Sequence, residues 1–169
     1  MELTMRRRVT RISALVLVLM LLLSFVASFA AGSFSSSKAG IKYKSSYKLG
    51  STSTSWKKNL GSYSRKQYDA CTCGEASYLY NFSSKGVKIE TLVPKKGAKE
   101  QIISIVLSKK TVPTIAGLKV GDKVSKMEKL YGTGYTKSGS TYTYKSGSCR
   151  MTVKTSSGKI KKITFLKNV

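Results

Sequence analysis

The chain carries one pattern twice. Leu49-Gly50-Ser51, then Trp56, then Leu60-Gly61 recurs as Val120-Gly121-Asp122, then Met127, then Tyr131-Gly132, with the two glycines eleven residues apart in each copy. Each copy runs on into a Tyr-x-Tyr segment (Tyr78 and Tyr80; Tyr142 and Tyr144), a second apolar segment and an Ile-rich third one. Residues 100–109 match residues 158–167 without a gap, setting Ile102, Ile105 and Leu107 against Ile160, Ile163 and Phe165. An internal repeat constrains architecture before any propensity argument is made. It also favours a binding scaffold over a single catalytic site.

Each copy reads as a short helix followed by strands. In the second, Asp122 is the expected N-cap. Val124, Met127, Leu130 and Tyr131 share one helical face, Lys123, Lys126 and Lys129 point away, and Gly132 is the stop. In the first, Ser51 takes the cap position, Trp56 and Leu60 form the face, and Gly61 ends the helix. The intervening Ser and Thr are poor helix formers, so that helix depends on packing. Period-two alternation then marks strands. Tyr78, Tyr80 and Phe82 share a face, as do Val87, Ile89, Thr91 and Val93; 102–107 is almost wholly apolar and reads as a central strand buried on both sides. Tyr142 and Tyr144, Met151 and Val153, and Ile163 and Phe165 follow in the second copy, with Ala116-Gly117-Leu118 as the source of a fourth strand.

The expected fold is therefore α+β. Two tandem repeats, each one short helix plus a three- to four-stranded antiparallel meander, form one continuous sheet with both helices on one face. One such unit buries too little apolar surface to stand alone. Repeat 1 spans 40–110, a connection with Pro113 spans 111–114, and repeat 2 spans 115–169.

Residues 1–30 read as a signal peptide. Arg6, Arg7, Arg8 and Arg11 precede an unbroken apolar run over 15–23, and Ser28-Phe29-Ala30 makes a small-x-small cleavage site. The competing reading is an uncleaved anchor, because 12–31 reaches spanning length. No Cys stands at the cleavage point, which excludes a bacterial lipoprotein. The expected location is secreted or extracytoplasmic, in the cell envelope, touching the membrane only through this segment if it is retained. Residues 31–39, with four serines, read as a flexible spacer.

The whole chain has 31 basic and 7 acidic residues; without Arg6, Arg7, Arg8, Arg11 and Glu2, 27 face 6. Of these only Arg65 and Arg150 are Arg. Lys is a hydrated point charge, whereas Arg is the planar fork of specific phosphate recognition. The charge is spread along the chain. It makes either a self-repelling solvated surface or a surface attracting polyanions such as teichoic acid or anionic lipid. Export removes nucleic acid as a physiological partner, although salt-sensitive binding in vitro is expected.

The chain contains no His, which removes the commonest general base, the usual triads and most zinc sites. There is no phosphate-cradling Gly loop and no Gly-x-Ser-x-Gly. The chain thus reads as a non-enzyme with no catalytic residue, metal or cofactor. Cys71 and Cys73 form a Cys-x-Cys pair before the first Tyr strand, and Cys149 enters a strand of the second copy. In an exported protein these allow a disulfide from Cys149 to Cys71 or Cys73, three free thiols, or a soft-metal or redox site. Tyr78, Tyr80, Tyr142 and Tyr144 are the candidate binding residues. Their rings either cover the helices as core or form an aromatic stripe across an open sheet face.

The run Gly117-Leu118-Lys119-Val120-Gly121-Asp122, followed by Lys129-Leu130-Tyr131-Gly132, Tyr142-Thr143-Tyr144 and Gly158-Lys159-Ile160-Lys161-Lys162-Ile163, resembles the helix–meander module of the beta-lactamase inhibitory protein family. The small lipoprotein of the outer-membrane assembly machinery is similar in layout. The resemblance covers the chain after the signal segment as two copies. It implies a curved sheet whose open face, lined by aromatic and polar residues, contacts a protein partner. It does not carry over inhibitory activity. A disulfide in each repeat, as in that inhibitor, is beyond three cysteines, and the Lys content is a further departure.

Three functions compete. The first is an exported non-enzymatic protein that holds a protein partner on an open aromatic sheet face. The second is a Lys-driven binder of an anionic envelope polymer. The third is a redox or metal protein built on Cys71, Cys73 and Cys149.

Overall fold

A computed structural model describes residues 32–168 apart from 71 and 73, and of Asp69 the backbone alone. The signal segment and the Cys71/Cys73 pair lie outside the described residues. Among those described, no helix is long and apolar enough to cross a membrane.

The described chain is α+β and dominated by antiparallel sheet. A hairpin comes first, β1 (Gly40–Tyr43) with β2 (Ser45–Lys48). Helix α1 (Ser55–Leu60) precedes β3 (Ser64–Ala70), β4 (Ala76–Phe82), β5 (Val87–Val93) and β6 (Gln101–Leu107). Helix α2 (Val124–Tyr131) precedes β7 (Thr136–Ser138), β8 (Thr141–Ser146), β9 (Cys149–Ser156) and β10 (Lys159–Lys167). The last eight strands make one sheet in the order β3-β4-β5-β6-β10-β9-β8-β7. Each helix thus leads into a four-stranded meander, and the meanders meet through their final strands.

Register sets the core. Directly paired residues in antiparallel strands point to the same face. One row runs Tyr80–Ile89–Ile105–Phe165–Met151–Tyr144, and the next runs Phe82–Val87–Leu107–Ile163–Val153–Tyr142. All twelve side chains are buried. Trp56 of α1 packs edge-on against Tyr80, with ring centroids 4.9 Å apart, and Tyr131 of α2 lies 6.0 Å from Tyr144. Because Tyr80 and Tyr144 share a row, both helices cover the same face.

The segment before each helix latches onto the final strand of its own meander. Gly50 N–H donates to the Ile102 carbonyl at 2.7 Å and Ile102 N–H to that of Ser51 at 3.1 Å. Gly121 N–H donates to Ile160 at 2.7 Å and Ile160 N–H to Asp122 at 2.9 Å. Gly50 (φ 79°) and Gly121 (φ 95°) adopt a backbone that a side chain rarely tolerates, which explains glycine at both latches.

Several local expectations are corrected. Helix α1 has only six residues and starts at Ser55, because residues 51–54 are drawn off by the latch and by Ser–Ser contacts (Ser53 Oγ to Ser55 Oγ, 2.9 Å). Asp122 is not a cap: α2 begins after Lys123, and the Asp122 carboxylate closes the preceding turn by accepting from Lys119 N–H at 2.8 Å. The fourth strand of the second meander is Thr136–Ser138, not the Ala116–Leu118 region, which turns back on itself through Leu118 N–H to Thr114 Oγ1. The Ser-rich segment is docked rather than free. Gly32 N–H donates to the Lys129 carbonyl at 3.2 Å, and Phe34 packs on Tyr131 and Tyr144 with centroids 6.0 and 5.9 Å away.

Candidate functional site

Three of the four candidate tyrosines lie in the core, and the fourth, Tyr78, packs against it. Tyr80 and Tyr144 are each 1% exposed, Tyr142 is 7% exposed, and Tyr78 is half-buried beneath the Arg65 guanidinium at 4.0 Å. The Tyr144 hydroxyl donates to the Gly132 carbonyl at 2.8 Å, tying β8 to the end of α2. Burial pushes the Tyr144 phenol up, and pushes that of Tyr131 up to about 12. The stripe across an open face is therefore corrected. Tyr80 pairs with Ile89 and Tyr144 with Met151, both inward, so the pleat turns the rings under the helices. Two short helices leave a wide gap over eight strands, and large rings fill it.

A polar knot that sequence reasoning missed lies beside them. Glu100 Oε2 pairs with Lys57 Nζ at 2.7 Å, while Oε1 accepts from the Tyr80 hydroxyl at 2.7 Å and the Thr91 hydroxyl at 2.6 Å. Lys57 also lies 4.5 Å from the Tyr80 ring centre. Burial opposes the charge on Glu100, but the bonds from Lys57, Thr91 and Tyr80 outweigh it and hold the carboxyl below its ordinary range. Burial likewise opposes the charge on Lys57, and Glu100 and Tyr80 outweigh it, so the ammonium is held above its ordinary range. The members stand 43, 20 and 9 residues from Glu100, so no local spacing announces the knot. Every oxygen of the carboxylate is occupied by a group of the fold, which makes this a fastening of α1 to the sheet rather than a reactive centre.

The opposite face of the sheet has a different chemistry. One row crosses all eight strands as Ser64–Asn81–Lys88–Val106–Thr164–Thr152–Thr143–Thr136. Its second half is a ladder of four threonines on adjacent strands, about 4.8 Å apart. Flanking rows add Lys66, Lys145, Arg150, Lys154 and Lys162, while Glu90 is the one carboxylate in these rows. Lys66, Lys88, Lys145, Lys154 and Lys162 are exposed and Arg150 is half-buried. No helix covers this face among the described residues. It offers hydroxyl donors and acceptors inside a frame of positive charge.

Two other carboxylates are engaged elsewhere. Asp122 pairs with Lys126 at 2.7 Å, and Glu128 accepts from the Tyr135 hydroxyl at 2.7 Å. Cys149 carries a free, buried thiol on the helix-covered side of β9. Cys71 and Cys73, the two residues that could pair with it, lie outside the described residues. Among the described residues no three His, Cys, Asp or Glu side chains cluster to hold a metal. No family model, curated protein or solved structure matches the chain.

Proposed function

We propose that this is an exported, non-enzymatic binding protein that holds an anionic envelope polymer, of the polyol-phosphate kind, against the open face of its sheet. The observation that carries this reading is the makeup of that face: six cations lie on it with one carboxylate, and four of them (Lys145, Arg150, Lys154 and Lys162) flank the threonine ladder. Cations attract the polymer's phosphates, and the hydroxyls bond its oxygens. The function rests on the sheet and not on the tyrosines, which are committed to the core.

Tandem duplication is part of the proposal, supported by the two latches and by the central pairing. Val106 and Thr164, which correspond in the ungapped match, are paired directly, as expected for a local two-fold axis at that pair. Walking outward, Ile105 leads through Ile89 to Tyr80, and its counterpart Ile163 leads through Val153 to Tyr142. Tyr80 thus corresponds to Tyr142 and Phe82 to Tyr144. This shifts the Tyr-x-Tyr match by two residues and keeps the beta-lactamase inhibitory protein-like layout as a proposal about the module alone.

The test is binding of the chain, without residues 1–30, to soluble polyglycerol phosphate at about 50 and about 200 mM salt. Lys145→Gln/Lys154→Gln/Lys162→Gln is expected to weaken binding and to make its salt dependence shallower, because fewer ammonium groups then displace counterions from the polymer. Unchanged affinity and unchanged slope in the triple variant would sink the reading. A protein partner remains a second reading at the edge strand β3, where Tyr63 and Tyr68 are each 42% exposed. Binding that resists salt and fails in Tyr68→Ser would favour it.

A further inference from the structure

Past the Leu107–Ile163 pair, β6 and β10 stop pairing. Continued at the same register, Lys109 would face Lys161. Instead, a bulge between Ile160 and Lys162 and the Gly121 latch on Ile160 turn the chains apart. The gap is a cleft of about 430 Å³ lined by segments 108–111, 120–121 and 159–161. Four of its nine lining residues are lysines (Lys109, Lys110, Lys159 and Lys161) and none is acidic. Its floor is apolar, with Ile160 fully buried and Val120 half-buried. Gly121 and Thr111 complete the wall, and nothing lies within 4 Å of where a Gly121 side chain would start.

Ammonium groups gathered around a hollow repel one another, and a carboxylate among them would relieve that. The cleft has none. Lys109 is partly engaged, since its Nζ donates to the Ser83 carbonyl at 2.9 Å. Lys110, Lys159 and Lys161 are exposed at the rim. A volume in the range of small-ligand sites, an apolar floor and a cationic rim suit an anion carried on a small carbon skeleton. A bare ion would leave the floor unfilled.

We infer that this cleft is a discrete site for one phosphodiester unit of the polymer, its phosphate held by Lys110, Lys159 and Lys161 and its polyol carbons lying over Val120. The inference deepens the polymer reading and rests on it. The open face then supplies length-dependent attraction, while the cleft supplies a saturable contact where the two halves of the sheet meet.

The test compares two variants of equal charge loss in the chain without residues 1–30. One is Lys110→Gln/Lys159→Gln/Lys161→Gln in the cleft, and the other is Lys145→Gln/Lys154→Gln/Lys162→Gln on the open face. Three probes are titrated: a short glycerol-phosphate oligomer, polyglycerol phosphate and vesicles of phosphatidylglycerol. The expected result is one saturable oligomer site per chain, weakened about tenfold or more by the cleft variant and at least several-fold less by the face variant. Chemical-shift changes at Gly121 and Ile160 should accompany it. Equal weakening by both variants, or no saturable oligomer binding, overturns the cleft while polymer binding by wild type keeps the broader reading. Oligomer binding in the cleft with no polymer binding leaves the site standing and sinks the polymer reading. Binding to vesicles alone overturns both, because the phosphodiester source is then a lipid headgroup.

Discussion

Glu100 shows how one residue fastens two layers. Its side chain is 16% exposed and accepts from Lys57, Tyr80 and Thr91. Glu100→Gln keeps the shape but loses the charge, so unfolding at neutral pH should become easier by about 1–3 kcal/mol. The sign with pH follows from the lowered carboxyl: the stabilisation is complete above the ordinary value of 4.5 and drains away as pH falls through the folded-state pKa. Urea titrations should therefore separate the two proteins at neutral pH, with the gap narrowing only as pH falls below 4.5. Tyr131 works at the other end of the scale. Its buried hydroxyl donates to Thr114 Oγ1 at 2.8 Å, and its phenol is raised from 10.0 to about 12. The unfolded chain releases this proton first, so stability is intact below pH 10 and falls as pH rises from there towards 12. Wild type should lose roughly 1–3 kcal/mol over that window through this residue, and Tyr131→Phe should lose correspondingly less.

The elements are short and stand by contact. Helix α1 has six residues and no side-chain cap, too few to persist alone. Trp56 and Leu60, each 1% exposed, and the Glu100 knot hold it in place. Both helices end at a glycine with positive φ, 91° at Gly61 and 78° at Gly132, but the two ends differ in surroundings. A Cβ on Gly61 would meet nothing within 4 Å, whereas one on Gly132 would strike the Gly32 carbonyl of the docked N-terminal segment. Gly61→Ala should cost about 1–3 kcal/mol from backbone strain alone. Gly132→Ala should cost more and should also speed hydrogen exchange at Gly32. Equal melting shifts for the two variants would mean that the N-terminal segment does not bear on α2. The helix stops were legible in the sequence because they need a particular backbone, and glycine announces it. The docking of residues 32–38 was not legible, because serine-rich composition hides the one ring, Phe34, that does the packing.

At the scale of the molecule, charge works against compactness. The 27 basic residues after Ala30 meet six carboxylates, so most cations have no acid to neutralise them. Self-repulsion of this kind is screened by salt. Melting temperature should rise as sodium chloride is raised from about 20 to about 300 mM, with sulfate acting at lower concentration. A fall in melting temperature would mean that ion pairs such as Lys57–Glu100 outweigh repulsion. By itself, the sequence did not announce β1, β2, β3 or β7, but it determined six of the sheet's eight strands (β4, β5, β6, β8, β9 and β10), the place of both helices, the glycine stops, the α+β class and the absence of histidine chemistry. Each of these is local: an alternation, a conformational need, or a missing side chain. The tertiary structure alone decided which face each strand buries, because shifting a pairing by one residue exchanges the faces of a whole strand. It turned Tyr80, Tyr142 and Tyr144 inward and left a threonine ladder with its lysines outside. It also drew Glu100 to Lys57 and opened a lysine-rimmed cleft where β6 and β10 part, joining residues so far apart in the chain that no local spacing encodes their meeting.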